Sequence, residues 1–218
     1  MISANEELSN VLSGVHEPPF LKDIATVGKT TVSQKVQQVA YHLSHAVFSY
    51  DEPTFQLDAC IAQWHAANEL NDNGEVPLFA HMETRVGAAS ALLGYLRANK
   101  ADKLVTVIAS SGSFKAMEPL LLASKVSYSV VFQIAALEFT GSELVEDIDS
   151  AISVANKLGY SVYVSKLGDN SGYEYAAQAS KLALETKKPV VHLYSGVRGL
   201  RQAYTPVPER PISALGAG

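Results

Sequence analysis

The sequence predicts an α/β fold, a mostly parallel, doubly wound sheet with helices on both faces. Three observations predict it. From residue 76 onward, short apolar runs alternate with helical patterns of about four turns, the rhythm of a sheet whose strands are joined by helical crossovers. The later runs, "YSVVFQIAAL" (128–137) and "PVVHLYS" (189–195), are rich in Val and Ile and apolar on both faces, as strands covered on both sides are. The chain has 218 residues, 47% hydrophobic and 18% charged, enough apolar material for such a core.

Residues 1–29 are polar and broken by Pro18 and Pro19, and read as an irregular arm. Thr30 or Thr31 caps a helix over 33–48, with Val36, Val39, Ala40, Leu43 and Val47 on its inner face. Pro53 precedes a second helix over 54–70. After the turn "NDNGE" (71–75), "VPLFAHM" (76–82) reads as a buried strand, and the helix of "HMETRVGAASALLGYLRAN" (81–99) follows. Then come strand 103–109, helix 113–125, strand 128–137, helix 147–158, strand 160–165, helix 172–187 and strand 189–195. The tail 203–218 carries Pro206, Pro208 and Pro211 and reads as a linker to further domains.

Bulk properties exclude several function classes. The net charge is −5 and no basic run occurs, which argues against nucleic acid or an anionic membrane as partner. Cys60 is the only cysteine, so no intramolecular disulfide, thiolate metal site or iron–sulfur site can form from this chain. "MISANEELSN" has no apolar signal core, and the longest apolar stretch (128–139) is far short of the ~20 residues a membrane span needs. The chain reads as cytoplasmic.

In a doubly wound sheet the binding crevice lies outside the C-terminal strand ends. The turns there are 81–85, 109–113, 136–143, 165–172 and 194–199. In "ASSGSF" (109–114), Ser110, Ser111 and Ser113 offer hydroxyls and Gly112 permits close approach, so the turn is a candidate anion cradle as well as an ordinary helix cap. His81, at a strand end beside Glu83, is the best-placed acid–base candidate. His42 and His45 sit three apart on the predicted first helix, a possible metal edge but more simply solvated or capping residues. His192, within an apolar strand, reads as a hydrogen-bonded core residue, and Cys60 as a small core residue. Glu143, Glu146, Asp147 and Asp149 precede a helix, where negative charge is stabilising without a metal. "GKTT" (28–31) lacks the earlier glycine and strand of a phosphate-binding loop and reads as a turn and cap. Neither a Gly-x-Ser-x-Gly elbow nor a Gly-x-Gly-x-x-Gly fingerprint is present.

Five segments in order, between Gly28 and Gln202, resemble the first domain of pyruvate:ferredoxin oxidoreductases, which has the thiamine-pyrimidine-type fold. "VQQVAYHLSHAVFSYDEP" is similar to that family's opening helix and first strand end, and "METRVGAASALLGYLRA" to its Ala- and Gly-rich helix. "VIASSGSFKAMEPLL" resembles its Ser-Ser-Gln-Gly-Leu segment, "VVFQIAAL" its Val-Ala-Ala-Arg strand, and "PVVHLYSGVRG" its Asp-Gly-Phe-Arg ending. The departures fall on the chemistry. The family's cofactor glutamate stands two residues before the first helix glycine, where this chain has Arg85; Glu83 is displaced from that place. The substrate arginine is replaced by Leu137, the Ile-Thr-Pro-Ser stretch by "SYDEPTF", and the closing Asp by Ser195, although Gly196 and Arg198 remain. Gly112 lies one place early.

The resemblance therefore implies a degenerate cofactor crevice at Glu83, Arg85, Ser110, Ser111 and Gly112, without catalytic residues or a bound cofactor. It also implies a close-packing helix face at Gly87, Ser90, Ala91 and Gly94, which in that family lies at a subunit interface and here points to a homodimer. Such a degenerate domain resembles the N-terminal part of fungal assimilatory sulfite reductase flavoprotein subunits. That resemblance implies FAD- and NADPH-binding domains downstream and a haem- and iron–sulfur-bearing partner that reduces sulfite to sulfide. Two other readings stay open: a thiamine diphosphate-dependent 2-oxoacid:ferredoxin oxidoreductase subunit with Glu83 shifted into the cofactor position, and a small-anion binder at 109–114.

Overall fold

The computed structural model describes residues 31–50, 55–99, 103–140, 143–165 and 171–196. The predicted arm (1–29) and linker (203–218) lie outside them. In chain order the elements are α1 (Val32–Leu43), β1 (Ala46–Ser49), α2 (Ala59–Ala66), β2 (Leu78–His81), α3 (Gly87–Asn99), β3 (Val105–Ser110), α4 (Ser111–Ser124), β4 (Val130–Ala136), β5 (Glu138–Thr140), β6 (Glu143–Val145), α5 (Ile148–Leu158), β7 (Ser161–Val164), α6 (Ser171–Thr186) and β8 (Val190–Ser195).

Six strands form one parallel sheet in the order β2-β1-β3-β4-β8-β7, and β5 and β6 make a separate antiparallel hairpin. Alternation along the strands divides the core. Ala46, Phe48, Val105, Val107, Phe132, Ile134, Val191 and Leu193 face one side, where α3, α4 and α5 pack with Leu92, Met117 and Val154. Val47, Ile108, Ala135 and Tyr194 face the other, against α1, α2 and α6 with Val39, Trp64 and Ala177. The fold class read from the sequence is the one observed. Central strands β3 and β4 are buried along their whole length, which is why they read as unbroken apolar runs.

Several elements differ from the sequence reading. The predicted buried strand 76–82 is β2, at the edge of the sheet, where Leu78 and His81 are exposed and Phe79 and Ala80 only half-buried, because no strand covers its outer side. Among the described residues, the predicted helix 54–70 is helical only over α2 (Ala59–Ala66). The predicted helix 33–48 is α1 followed by β1. Helix α1 begins on Thr31, whose hydroxyl accepts from the Gln34 amide at 3.2 Å while the Gln34 side chain accepts from the Thr31 amide at 2.7 Å, a reciprocal cap worth about 1 kcal/mol. It ends at Ser44, which turns extended and bonds Thr106 through the hydroxyl at 2.7 Å. Val47 thus belongs to β1. His42 and His45 consequently do not share a helix: His42 is buried on α1 against Asp72 at 3.3 Å, and His45 precedes β1, its pKa lowered first by burial. A further difference is the β5–β6 hairpin, in a stretch that reads from sequence as a turn. Its Phe139 stacks on Phe55 with ring centroids 5.2 Å apart.

Candidate functional site

The parallel sheet brings Ser49, His81, Ser110, Ala136 and Ser195 to one edge, at the C-terminal ends of β1, β2, β3, β4 and β8. The chain runs outward from β1 to β2 and then in the opposite direction from β3, so the order reverses between β1 and β3, where crevices form.

The turn 109–114 is closed. Ser110 caps α4, its hydroxyl accepting from the Ser113 amide at 3.3 Å and bonding the Ser113 hydroxyl at 3.0 Å. Ser111 donates to the Leu137 carbonyl at 2.7 Å. All three serines and Gly112 are buried. A Cβ at Gly112 would stand 3.4 Å from Glu138 Oε1, so the chain's own carboxyl group lies over the start of α4, where an incoming anion would sit. The Glu138 pKa is raised, first by a hydrogen bond with Asp147, then by burial and the Asp147 charge; Lys115 and Arg85 pull the other way. Arg85 and Glu83 are both exposed on the turn before α3.

Leu137, where the resemblance implies a substrate arginine, is fully buried. A Cβ at Gly196 would meet Leu137 Cδ2 at 2.6 Å and Cβ at 2.8 Å, so leucine and glycine fill that corner together. Ser195 donates to Glu146 Oε1 at 2.7 Å, which gives one member of the acidic group a partner. Asp147 stands at the N-cap of α5 without a side-chain cap bond, and Asp149 lies in the first turn. Arg198 lies outside the described residues.

On α3, Ala88, Ala89, Leu92, Leu93 and Leu96 turn inward. Gly87 and Ala91 are half-buried and Ser90 and Gly94 exposed. The two glycines differ physically. A Cβ at Gly87 would meet Met82 Cβ at 2.8 Å and Thr84 Oγ1 at 2.9 Å, so the preceding turn itself demands glycine. At Gly94 nothing lies within 4 Å.

A second cluster lies over β1 and β2, whose pairing sets Ser49 opposite His81. Asp58 Oδ2 accepts from the Ser49 hydroxyl in a short hydrogen bond and pairs with His81 Nδ1 at 2.6 Å, and Ser49 Oγ lies 3.4 Å from the same nitrogen. Asp58 occupies the N-cap of α2 yet makes no cap bond. Gln37 of α1 takes over, its Oε1 accepting from the Cys60 amide at 2.8 Å. The sequence reading placed His81 beside Glu83 and missed Asp58 and Ser49. Cys60 sits in the first turn of α2, its thiol pushed up to about 11 by burial.

His192 is wholly buried, with Nδ1 2.6 Å from Gln133 Oε1 and Nε2 2.6 Å from Ser165 Oγ. Burial lowers its pKa to about 3. It is the hydrogen-bonded core histidine the sequence suggested. Among the described residues, no group of three or more His, Cys, Asp or Glu is placed to hold a metal ion, and no helix is long and apolar enough to cross a membrane.

No family model matches the chain. No curated protein matches it either. The likeness is to solved structures. One is from Mycobacterium smegmatis and is assigned to the thiamin diphosphate-dependent enzymes; it matches with a TM-score of 0.52 at 17% identity, over 76% of this chain and 32% of that one. This chain thus spans about a third of the length of that protein. The likeness establishes the fold, a thiamin-diphosphate-enzyme-like α/β domain. Arg85, at the position where the resemblance implies a cofactor carboxylate, offers only donors and a fixed positive charge.

Proposed function

We propose that this domain is a non-catalytic scaffold of an NADPH-dependent sulfite reductase flavoprotein subunit. In this reading it assembles the enzyme while FAD- and NADPH-binding domains elsewhere in the parent chain pass electrons to a haem- and iron–sulfur-bearing partner. The observation that carries the reading is the filled crevice. Glu138 lies over the start of α4, and Leu137 is packed into Gly196. Arg85 and Glu83 are both exposed, and in this reading Arg85 stands where the resemblance implies the cofactor carboxylate. The α3 face of Gly87, Ser90, Ala91 and Gly94 is the surface proposed for homodimer contact. The test is the absorption spectrum of the native protein captured from its source cells, together with the small molecules released on denaturation. Flavin bands with no thiamine diphosphate released are expected; an iron–sulfur shoulder with thiamine diphosphate released contradicts the reading.

One observation favours a second reading, a thiamine diphosphate-dependent 2-oxoacid oxidoreductase subunit. It is the fold shared with the Mycobacterium smegmatis protein. That reading requires the exposed Glu83 to serve as the cofactor carboxylate, and binding of thiamine diphosphate separates the two.

A further inference from the structure

We propose that His81 is a positioned proton acceptor, its Nε2 forming a site over the C-terminal ends of β1 and β2 for a small ligand that carries an O–H donor. The inference stands apart from the scaffold reading and does not depend on it.

The geometry fixes the tautomer. Asp58 Oδ2 is an acceptor, so the proton between it and His81, 2.6 Å apart, belongs to Nδ1. The lone pair of the neutral ring is then on Nε2. The His81 side chain is 45% exposed whereas that of Asp58 is 11% exposed, so the carboxylate is held behind the ring and the ring itself meets solvent. A carboxylate bonded to one imidazole nitrogen orients the ring and stabilises the imidazolium formed when the other takes a proton.

The surrounding residues are arranged for this pairing. An Asp at an N-cap ordinarily accepts from amides of its own helix. Asp58 does not, and Gln37 reaches from α1 to do so at the Cys60 amide. Ser49, fully buried at the end of β1, spends its hydroxyl hydrogen on the same carboxylate oxygen. It is therefore an orienting group for Asp58 and no nucleophile. The contrast with His192 is direct: that ring has both nitrogens bonded within the core and no path to solvent. Of the other charged groups on the β2 turn, Glu83 and Arg85 are exposed, and neither replaces Asp58 as the partner of Nδ1.

The step is a reversible proton transfer. The ligand's O–H bond breaks, its electron pair stays on the ligand oxygen, and the proton joins the Nε2 lone pair. The resulting imidazolium is neutralised by Asp58, and the proton passes on to water.

Two-bond ¹⁵N–¹H correlation spectra of the labelled 218-residue chain, above the range in which histidine protonates, read the tautomer directly. His81 is expected as the Nδ1–H form. Asp58→Ala is expected to shift it to the Nε2–H form, and Asp58→Asn, which keeps an oxygen acceptor, to retain Nδ1–H. Titration with phenol, a compact O–H donor that keeps its proton in that range, is expected to move the His81 Nε2 resonance saturably and to leave His192 unmoved. An Nε2–H tautomer in the unaltered chain overturns the proposal without recourse to any variant. The expected tautomer with an Nε2 resonance that phenol does not move overturns it as well, and leaves Asp58–His81 a structural clamp.

Discussion

Lowering the pH from 7 to 5 tests the energetics of the core through one residue. His192 is fully buried and its pKa falls from 6.5 to about 3. The unfolded ring binds a proton below its ordinary pKa; the folded ring does so only near the depressed value. Stability from this group is therefore complete above the unfolded pKa and is lost as pH falls toward the folded one. Each pH unit inside that window costs about 1.4 kcal/mol, so the step from 7 to 5, which enters the window near 6.5, removes about 2 kcal/mol. The hydrogen bonds alone do not forbid the charge, because the Ser165 hydroxyl could turn to accept from Nε2–H; desolvation of the cation is the dominant cost. Urea unfolding at the two pH values reads the effect. With a slope of about 2 kcal/mol per molar urea, the midpoint moves down by about 1 M. His192→Asn, which keeps a donor toward Gln133 Oε1, is expected to lose that part of the pH dependence whatever its own stability. Equal pH dependence in the two proteins would refute the reasoning.

Other consequences follow from the same geometry. Gly196→Ala places a Cβ 2.6 to 3.0 Å from Leu137 and is expected to destabilise by about 1 to 3 kcal/mol in denaturant melts. Gly94→Ala, with open space around it, should stabilise the separate domain by about 1 kcal/mol. Gly87→Ala should destabilise, because Met82 and Thr84 already occupy the space; equal effects at Gly87 and Gly94 would contradict the distinction. The raised pKa of Glu138 is a penalty on folding that appears as pH rises through the ordinary glutamate range. Glu138→Gln should thus stabilise at neutral pH and lose that gain on acidification, as unfolding curves at the two pH values will show.

The division between what the sequence disclosed and what it concealed follows burial and range. Strands β3, β4 and β8 were legible because both faces are covered, which leaves a continuous apolar signature. Strand β1 was not. Its four residues extend the i, i+3, i+4 pattern of α1 through Val47, and only pairing with β2 and β3 makes them a strand. The β5–β6 hairpin has three residues per strand, too few for alternation to register. At the edge of the sheet, His81 was legible as a strand-end histidine, but Asp58 reads locally as a helix cap. Its engagement 23 residues away depends on Ser49 and His81 lying opposite one another across a parallel pair, and on Gln37 capping α2 from another helix. Periodicity carries neither relation. The closing of 109–114 by Glu138 was likewise hidden, since the serines read the same whether they cap their own helix or cradle a ligand.

Calorimetric titration of the 218-residue chain with thiamine diphosphate and Mg²⁺, with the melting temperature read in parallel, tests the scaffold reading most directly. The filled crevice predicts no saturable heat and an unmoved melting temperature. Saturable binding, accompanied by the roughly 2.7 kcal/mol of added stability that a ligand at 100 times its Kd confers and abolished by Glu83→Gln, would contradict it and establish a cofactor site at the edge of this sheet.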